Sequence, residues 1–473
     1  MQWQSRARAV CGLICASLAA CSVGTPYRRP DIPLPQQWNA TAANGANRAP
    51  DTQAGVWPES DWWHGFGSDR LDELITEAQR SNDDLAGAIA RVQEADAQLR
   101  IAGAPLLPSV DLGATATRER GSVSGEGISV FNLFNPVLTA SYELDFWGKN
   151  RAARDAARAA AVASRYDQQT VALTVVSSVA TTYFQALELR DRLQVAHQNL
   201  ENGDKILHGL TFEQEVGTAT GLDVAQQATV VAQLYAAIPP LEEQFKQTVY
   251  ALAVLIGRTP ESIDVNDGTL TALKAPPVVS GLPSKLLTRR PDIAEAEQQL
   301  IAANANITVA RAELFPTIEL TASGGYESNV LSSLVSPANR VYALSAGLTQ
   351  PIFHGGALRG ELAFSKARYT ELATTYHKTV LTALSNVEGA LVAARQTAAQ
   401  EERQADAVAK ARRAYEFAQA QMSAGTVNIL TVLNTENALF SAQDTLVQVQ
   451  YSHLQALVDL FTALGGGWHE GYS

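Results

Sequence analysis

The side chains that most often carry enzyme chemistry or bind metals are scattered along this sequence. No two of its seven histidines, at positions 64, 197, 208, 354, 377, 453 and 469, have the His-x-x-x-His spacing that places two imidazoles on one helix face. Gly465–Gly467 lies near the chain end and follows no strand pattern, so it predicts no phosphate-binding loop. Met422 is the only methionine after Met1. We predict no enzyme, no cofactor and no metal site.

Cysteine chemistry is confined to the N-terminus. Arg6 and Arg8 precede a short apolar stretch, and residues 1–20 are typical of a secretory signal peptide. The sequence Leu-Ala-Ala-Cys that ends at Cys21 resembles a bacterial lipoprotein cleavage box. On that resemblance Cys21 is the first mature residue and the lipidation site, and the Ser22 that follows it implies sorting to the outer membrane. An ordinary signal peptide with an unrelated cysteine is the alternative.

Composition excludes several classes of protein. The chain has 473 residues, 46% of them apolar and 18% charged, so it can build a folded core. Its formal charge of −12 argues against a nucleic-acid-binding protein, which would show a basic face. A mean hydropathy of −0.06 and the lack of 18-residue apolar runs after the signal exclude a bundle of membrane-spanning helices. With a single mature cysteine the chain forms no intrachain disulfide, and we expect 21–70 to be a lipidated extended segment.

An internal repeat with an offset of about 208 residues is the most informative feature of the sequence. The anchors that keep this offset include Leu107-Pro108 with Phe315-Pro316, Gly217-Thr218 with Gly425-Thr426, and Ile256-Gly257 with Leu464-Gly465. The repeat divides the mature chain into 71–257, a linker 258–282, 283–467 and a tail 468–473.

Each repeat contains two segments that alternate between apolar and polar residues. Alternation with a period of two predicts strands at 109–119, 136–146, 317–327 and 341–351. At about 3.3 Å per residue such a strand reaches roughly 36 Å, which suits a tilted bilayer crossing. The polar, Gly-rich segments 120–135 and 328–340 are predicted to be loops. Soluble hairpins on a helical protein are the alternative interpretation.

Helical periodicity accounts for the rest of each repeat. The pattern predicts first helices near 71–102 and 292–313, long coiled-coil helices 148–211 and 356–420, and return helices 222–256 and 430–464. Gly217 and Gly425 are predicted to end the long helices in the left-handed conformation. Pro239-Pro240 should break or kink the first return helix.

Four strands with one apolar face cannot satisfy their edges in lipid, because every backbone group left unpaired in hydrocarbon costs several kcal/mol. Several chains must therefore contribute strands to one barrel. Two chains would give eight strands and a filled interior, whereas three would give twelve strands and an open one. The long helices would then continue as a hollow tube in the periplasm.

The sequence resembles the TolC-like outer-membrane efflux proteins, in particular their NodT-type or OprM-like lipoprotein branch. The resemblance runs from about 21 to 467 and is carried by Cys21-Ser22-Val23-Gly24, Trp62-Trp63, Leu106-Leu107-Pro108-Ser109, Tyr142-Glu143-Leu144-Asp145-Phe146-Trp147-Gly148, Leu286-Leu287-Thr288-Arg289-Arg290-Pro291-Asp292-Ile293 and Phe315-Pro316. It implies an α+β membrane protein. A homotrimer would share a 12-stranded transmembrane β-barrel, four strands per chain, continuous with a periplasmic α-helical tunnel.

The resemblance also implies function and partners. The protein would be a lipid-anchored outer-membrane exit duct of a tripartite efflux pump for small molecules such as drugs. It would dock to a periplasmic adaptor and an inner-membrane pump of the proton-driven RND type, and open at its periplasmic helical tips. A protein-secretion duct of the same fold and a structural outer-membrane lipoprotein without a channel are the alternatives.

Candidate site residues follow from the same resemblance and from the polar strand faces. The tip candidates are Glu213, Glu215, Gly217, Thr218, Asp223, Gly425, Thr426, Asn428, Thr431 and Asn434. The candidates for lining the barrel lumen are Asp111, Glu143, Asp145 and Glu319. The second tip carries no carboxylate, so no strong acidic ring is expected there, and solvated helix ends are the alternative interpretation of the tip acids.

Overall fold

The strands form one four-stranded antiparallel sheet with the order β1-β2-β3-β4. A computed structural model of the chain describes residues 23–39, 59–123, 126–277 and 283–468, so the predicted signal 1–20 and Cys21 lie outside the described residues. The strands are β1 (Ser109–Val123), β2 (Glu126–Glu143), β3 (Thr317–Tyr326) and β4 (Arg340–Thr349). Strands β1 and β4 are therefore the edges of the sheet.

The first hairpin is longer than predicted, and the prediction of a loop at 120–135 was wrong. Pairing between β1 and β2 continues through Gly121 opposite Ser129 to Val123 opposite Glu126. A ladder satisfies the backbone groups of Gly and Ser as well as those of apolar residues, so polar composition alone does not mark the turn. The second hairpin has its loop within 328–340, where the chain forms short 3₁₀ turns at Leu331–Ser333 and Pro337–Asn339.

The long helices and the return helices repeat with equal lengths, whereas the first helices do not. The helices are α1 (Asp69–Ser81), α2 (Asp83–Gly103), α3 (Lys149–Glu215), α4 (Gly221–Leu255), α5 (Pro291–Ala312), α6 (Ala357–Ser423) and α7 (Ile429–Ala463). Helices α3 and α6 each have 67 residues, and α4 and α7 each have 35. At 1.5 Å per residue these lengths are roughly 100 Å and 50 Å.

Two helix predictions need correction. The single helix expected near 71–102 is divided at Asn82, whose extended backbone ends α1 and whose carboxamide oxygen accepts a hydrogen bond from Leu85 N at 3.0 Å. This is an N-cap for α2. Of the break or kink predicted at Pro239 and Pro240, the break was wrong, because α4 continues through both residues to Leu255, and the kink stays a prediction.

The chain folds as two compact units. Among the described residues, the first comprises 23–31, 90–123, 126–165 and Glu295–Lys378, and it contains the sheet. The second comprises Ile32–Ile89, Tyr166–Ala294 and Thr379–Ser473, and it contains most of the helical core.

The core of the second unit is built on one face of α3, which was predicted to be a coiled-coil helix. Val176, Ala180, Tyr183 and Leu187 are all at most 5% exposed. Part of α3 is long and apolar enough to cross a membrane by composition, and 44% of that stretch is buried. Val176, Ala180, Tyr183 and Leu187 belong to the same buried cluster as Trp62, so packing inside the protein accounts for this face of the helix.

Both repeats close their helical core with the same backbone contact. Gly257 follows α4 with φ +71°, and a Cβ there would lie 2.2 Å from the carbonyl oxygen of Ser81. Gly465 follows α7 with φ +92°, and a Cβ there would lie 1.9 Å from the carbonyl oxygen of Arg289. Only glycine accommodates both the left-handed backbone and this close approach.

Candidate functional site

The register of the sheet sorts its side chains into a polar face and an apolar face. Residues directly opposite one another on paired strands share a face. One row across all four strands is polar: Ser109, Ser141, Thr321 and Ser345. The next row is apolar: Val110, Ala140, Ala322 and Leu344. The alternation seen in the sequence is therefore in phase across the whole sheet.

The apolar face is exposed in the single chain. Leu112 is 75% exposed, Tyr342 85%, Leu344 79% and Leu348 67%. A continuous exposed apolar surface on a sheet marks contact with lipid or with another protein. On an antiparallel sheet whose other face is polar, this pattern is that of a transmembrane barrel strand.

Three of the four predicted lumen carboxylates lie on the polar face. Asp111 is opposite Thr139 on β2, and Glu143 is directly opposite Glu319 on β3. The Glu143 carboxylate lies 2.6 Å from Lys149 Nζ at the start of α3. The sheet thus brings two carboxylates and one ammonium group together at one end of β2.

Asp145 is not on the strand, and its assignment to the barrel lumen was wrong. Its side chain, 7% exposed, accepts hydrogen bonds from the backbone N–H groups of Asn150 and Arg151, both at 2.9 Å, and pairs with the Arg151 guanidinium at 3.0 Å. The carboxylate therefore occupies the N-terminal end of α3, where it satisfies otherwise unpaired amides and faces the positive end of the helix dipole.

Aromatic motif residues brace the same end of the sheet. Trp147 stacks on Phe315 with ring centroids 4.7 Å apart, and its indole N–H donates to the Pro316 carbonyl at 2.7 Å. The Tyr142–Gly148 motif and the Phe315-Pro316 motif thus meet through Trp147, close to the end of β2 and the start of β3.

The turn between α3 and α4, the first tip, is held by hydrogen bonds within the turn itself. Gly217 has φ +81°, and the N–H and hydroxyl groups of Thr218 donate to the Glu213 carbonyl at 2.8 and 3.0 Å. Thr220 and Asp223 form a capping box at the start of α4, in which Asp223 accepts from Thr220 N at 2.8 Å. These hydrogen bonds from Thr220 lower the pKa of Asp223.

The turn between α6 and α7, the second tip, repeats this design with different side chains. Gly425 has φ +70°, and the N–H and hydroxyl groups of Thr426 both donate to the Gln421 carbonyl at 2.9 Å. Asn428 caps α7 by accepting from Thr431 N at 3.3 Å and from the Thr431 hydroxyl at 3.2 Å. Thr431 thus stands where the first tip has Asp223.

The two tips lie side by side over a shared apolar cluster. Leu210, Val230, Ala418, Ile429 and Leu433 are buried together, so each of the four helices contributes to it. The acids Glu213 and Glu215 and the amide Asn434 are exposed. Thr220 was missed as a tip residue, although Thr followed by Asp three residues later is the capping-box signature.

The caps predict a local stability effect. Replacing Thr220 or Asn428 with alanine removes the side chain that satisfies the first free amides of α4 or α7, at a cost of about 1 kcal/mol. We expect about fivefold faster amide exchange in the first turn of the affected helix only. Hydrogen exchange with mass spectrometry would measure this. Thr229→Ala, deeper in α4, is the control, and equal exchange in all three variants would contradict the capping roles.

The described ranges contain no group of three or more His, Cys, Asp or Glu side chains arranged to hold a metal ion. The sheet combines an exposed apolar face, two edge strands and aligned polar rows, whereas the tips combine exposed acids and amides with a shared apolar cluster.

Comparison with known proteins agrees with this geometry. The family model described as "Outer membrane efflux protein" matches residues 74–258 and 282–466, once for each repeat. The chain is 40% identical over 461 residues to the pyoverdine export outer membrane protein OpmQ of Pseudomonas putida, covering 96% of both chains. It is 31% identical to the cation efflux system protein CusC of Escherichia coli, covering 97% of this chain and 98% of CusC.

A solved structure shows the same fold. The outer-membrane channel OprN superposes with a TM-score of 0.86 at 27% identity, covering 95% of this chain and all of OprN. The predicted α+β fold class, the repeat and the resemblance to TolC-like proteins are confirmed by these matches. The chain therefore belongs to the outer membrane efflux protein family and is an efflux channel of the outer membrane.

Proposed function

We propose that three copies of this chain close one 12-stranded barrel and form the passive exit duct of a tripartite efflux pump. The observation that carries the proposal is the four-stranded sheet, which has an exposed apolar face and two edges, β1 and β4, that are not joined to each other in the strand order. A membrane excludes open sheet edges, so other copies must complete the cylinder.

We propose three copies because three is the smallest number of these sheets that leaves an open lumen. Two copies give eight strands, whose interior is filled by side chains, whereas three give twelve strands around an open lumen. The polar rows would line that lumen, with Asp111, Glu143 and Glu319 as its carboxylates and Lys149 beside Glu143. In this arrangement the apolar rows face the acyl chains.

The helical hairpins would form the periplasmic tunnel, and the tips would be its entrance. The glycine turns are exposed, and Val216 and Leu222 on either side of Gly217 are 59% and 65% exposed. Exposed apolar side chains on a hydrogen-bonded turn suit docking of another protein. We assign the adaptor contact and the opening of the duct to the two tips, with the pump supplying the energy.

Small molecules are the proposed cargo, and the chain itself is proposed to do no chemistry. The names of its relatives favour efflux over protein secretion, because they include a pyoverdine exporter, a cation efflux protein and a toluene efflux protein. Such different cargoes on one scaffold support selection of the cargo by the pump. Lipidation at Cys21 is proposed to anchor each copy to the outer membrane.

Deletion of the gene tests the proposed function. In a strain that lacks paralogous ducts, we expect the deletion to increase susceptibility to several amphiphilic compounds by at least fourfold, because the pump loses its exit. Expression of the wild-type chain should restore resistance. Unchanged susceptibility in that strain would contradict an efflux duct for small molecules.

A further inference from the structure

A buried carboxyl group lies where the two helical hairpins of the chain meet, a few turns from their tips. Glu436 on α7 is 0% exposed, and so is Gln227 on α4. Each lies within the first three turns of its helix, so the two residues are at similar depth behind the second and first tips. The contact between them joins hairpin α3–α4 to hairpin α6–α7.

Only some of the polar atoms in this contact have hydrogen-bond partners. Gln227 donates from Nε2 to the Gly203 carbonyl of α3 at 3.0 Å. By strict donor–acceptor geometry, neither carboxyl oxygen of Glu436 nor the amide oxygen of Gln227 has a hydrogen-bond partner among the described residues, although the Gln227 amide lies close enough to act on the Glu436 carboxyl group. A buried carboxylate with so little compensation is costly, and a neutral carboxyl group avoids much of that cost.

Among the side chains around this contact, Glu436 is the one that we expect to change its charge near neutral pH. Gln227 faces it from α4, and α3 contributes the Gly203 carbonyl that binds Gln227. From α6 the titratable neighbour is Tyr415, whose pKa burial raises to about 12, with the Glu436 charge adding to the rise. In the part of the chain that the structure describes, no cationic side chain acts on Glu436.

Burial raises the pKa of Glu436 to about 7, and the Gln227 amide offsets part of that rise. The ordinary value is 4.5, so the packed state holds its proton more tightly than a separated state with a hydrated carboxylate. The stabilisation that the neutral carboxyl group gives to the packed state is fully present below about pH 4.5, and it is lost as the pH rises through about 7.

We propose that Glu436 and Gln227 form a proton-dependent latch between the two helical hairpins of each chain. The neutral carboxyl group keeps the hairpins packed behind their tips, and its ionisation loosens them. A role of this latch in opening the periplasmic entrance rests on the proposed duct function. The pH-dependent change in helix packing does not depend on that function.

Hydrogen exchange of the purified full-length protein tests the latch. After correction for the intrinsic exchange rate, hydrogen exchange reports the equilibrium constant for local opening of a segment. In the wild type we expect this constant for 222–232 and 430–440 to increase roughly tenfold between pH 6 and pH 8. Glu436→Gln carries a neutral side chain of the same shape and should change less than twofold. Glu436→Met is a second variant that cannot ionise, and its exchange should also change less than twofold between pH 6 and pH 8.

Glu416→Gln is the matched control, because Glu416 is an exposed carboxylate on α6 near the same tip. It should keep the wild-type profile. A wild-type pH profile that persists in Glu436→Gln and Glu436→Met would overturn the latch. Conductance in planar bilayers separates the two proposals. If no variant formed a pore at any pH, the duct function would be contradicted. The hydrogen-exchange comparison would still decide whether the latch exists.

Discussion

Replacing Leu344 with arginine is expected to reduce the amount of protein in the outer membrane by at least tenfold. Leu344 lies on the apolar face of β4 and is 79% exposed in the single chain. A lipid-facing arginine near the middle of a barrel strand costs about 2–4 kcal/mol, and every copy in a barrel carries the same cost. Quantitative immunoblotting of separated outer membranes would measure the loss.

Ser345→Arg is the control for this prediction, because it places the same charge on the adjacent residue of the same strand. Ser345 belongs to the polar row with Thr321 on β3. An arginine there would point toward water, so we expect near wild-type levels. If the two variants accumulated equally, the assignment of the two faces to lipid and water would be wrong.

Replacing Gly465 with alanine is expected to destabilise the helical core by about 3 kcal/mol or more. The left-handed backbone, φ +92°, disfavours any side chain, and the new Cβ would lie 1.9 Å from the Arg289 carbonyl oxygen, so the chain after α7 must move. The Cβ position is fixed by the backbone of residue 465 and the oxygen belongs to the Arg289 backbone, so no rotamer change relieves the overlap. Thermal unfolding followed by circular dichroism should show a midpoint lowered by roughly 5 °C or more.

Gly209→Ala is the matched control. Gly209 lies inside α3, and a Cβ there would meet nothing within 4 Å. Alanine in a helix interior is more favourable than glycine by about 0.5–1 kcal/mol, so this variant should be slightly more stable than the wild type. Gly257→Ala should resemble Gly465→Ala because the same contact recurs in the first repeat. A Gly465→Ala protein as stable as the Gly209→Ala protein would contradict the close-approach explanation.

The repeat made most of the fold predictable from the sequence. An offset that is kept across a whole half of the chain required the same order of elements twice, and the structure has that order. Gly217 and Gly425 were predicted to take the left-handed conformation, and both do. These features depend on local chemistry, which sequence periodicity and glycine spacing report directly.

Boundaries set by capping were harder to predict. Asn82 divides the first helix, and the signal was the Asn-Asp-Asp run, which offers a cap and acids for a new helix start. Asp145 continues the alternation of β2 and so looked like a strand residue, but its carboxylate caps α3. In both cases a side-chain hydrogen bond overrides the periodic pattern.

Side-chain contacts between the two helical hairpins could not be predicted. Glu436 and Gln227 are polar residues within helices, and on sequence grounds each would be placed on a solvated face. Their burial depends on how the two hairpins pack, which no local pattern reports. The sequence therefore predicted where the tips are, but not the buried polar contact behind them.

The central claim is that one chain supplies only a third of a membrane cylinder. Native mass spectrometry of the full-length protein, extracted from outer membranes in a mild detergent, tests this claim most directly. We predict a complex with the mass of three mature chains, which should persist at low protein concentration. A mass of one or two chains under those conditions would contradict the shared twelve-stranded barrel.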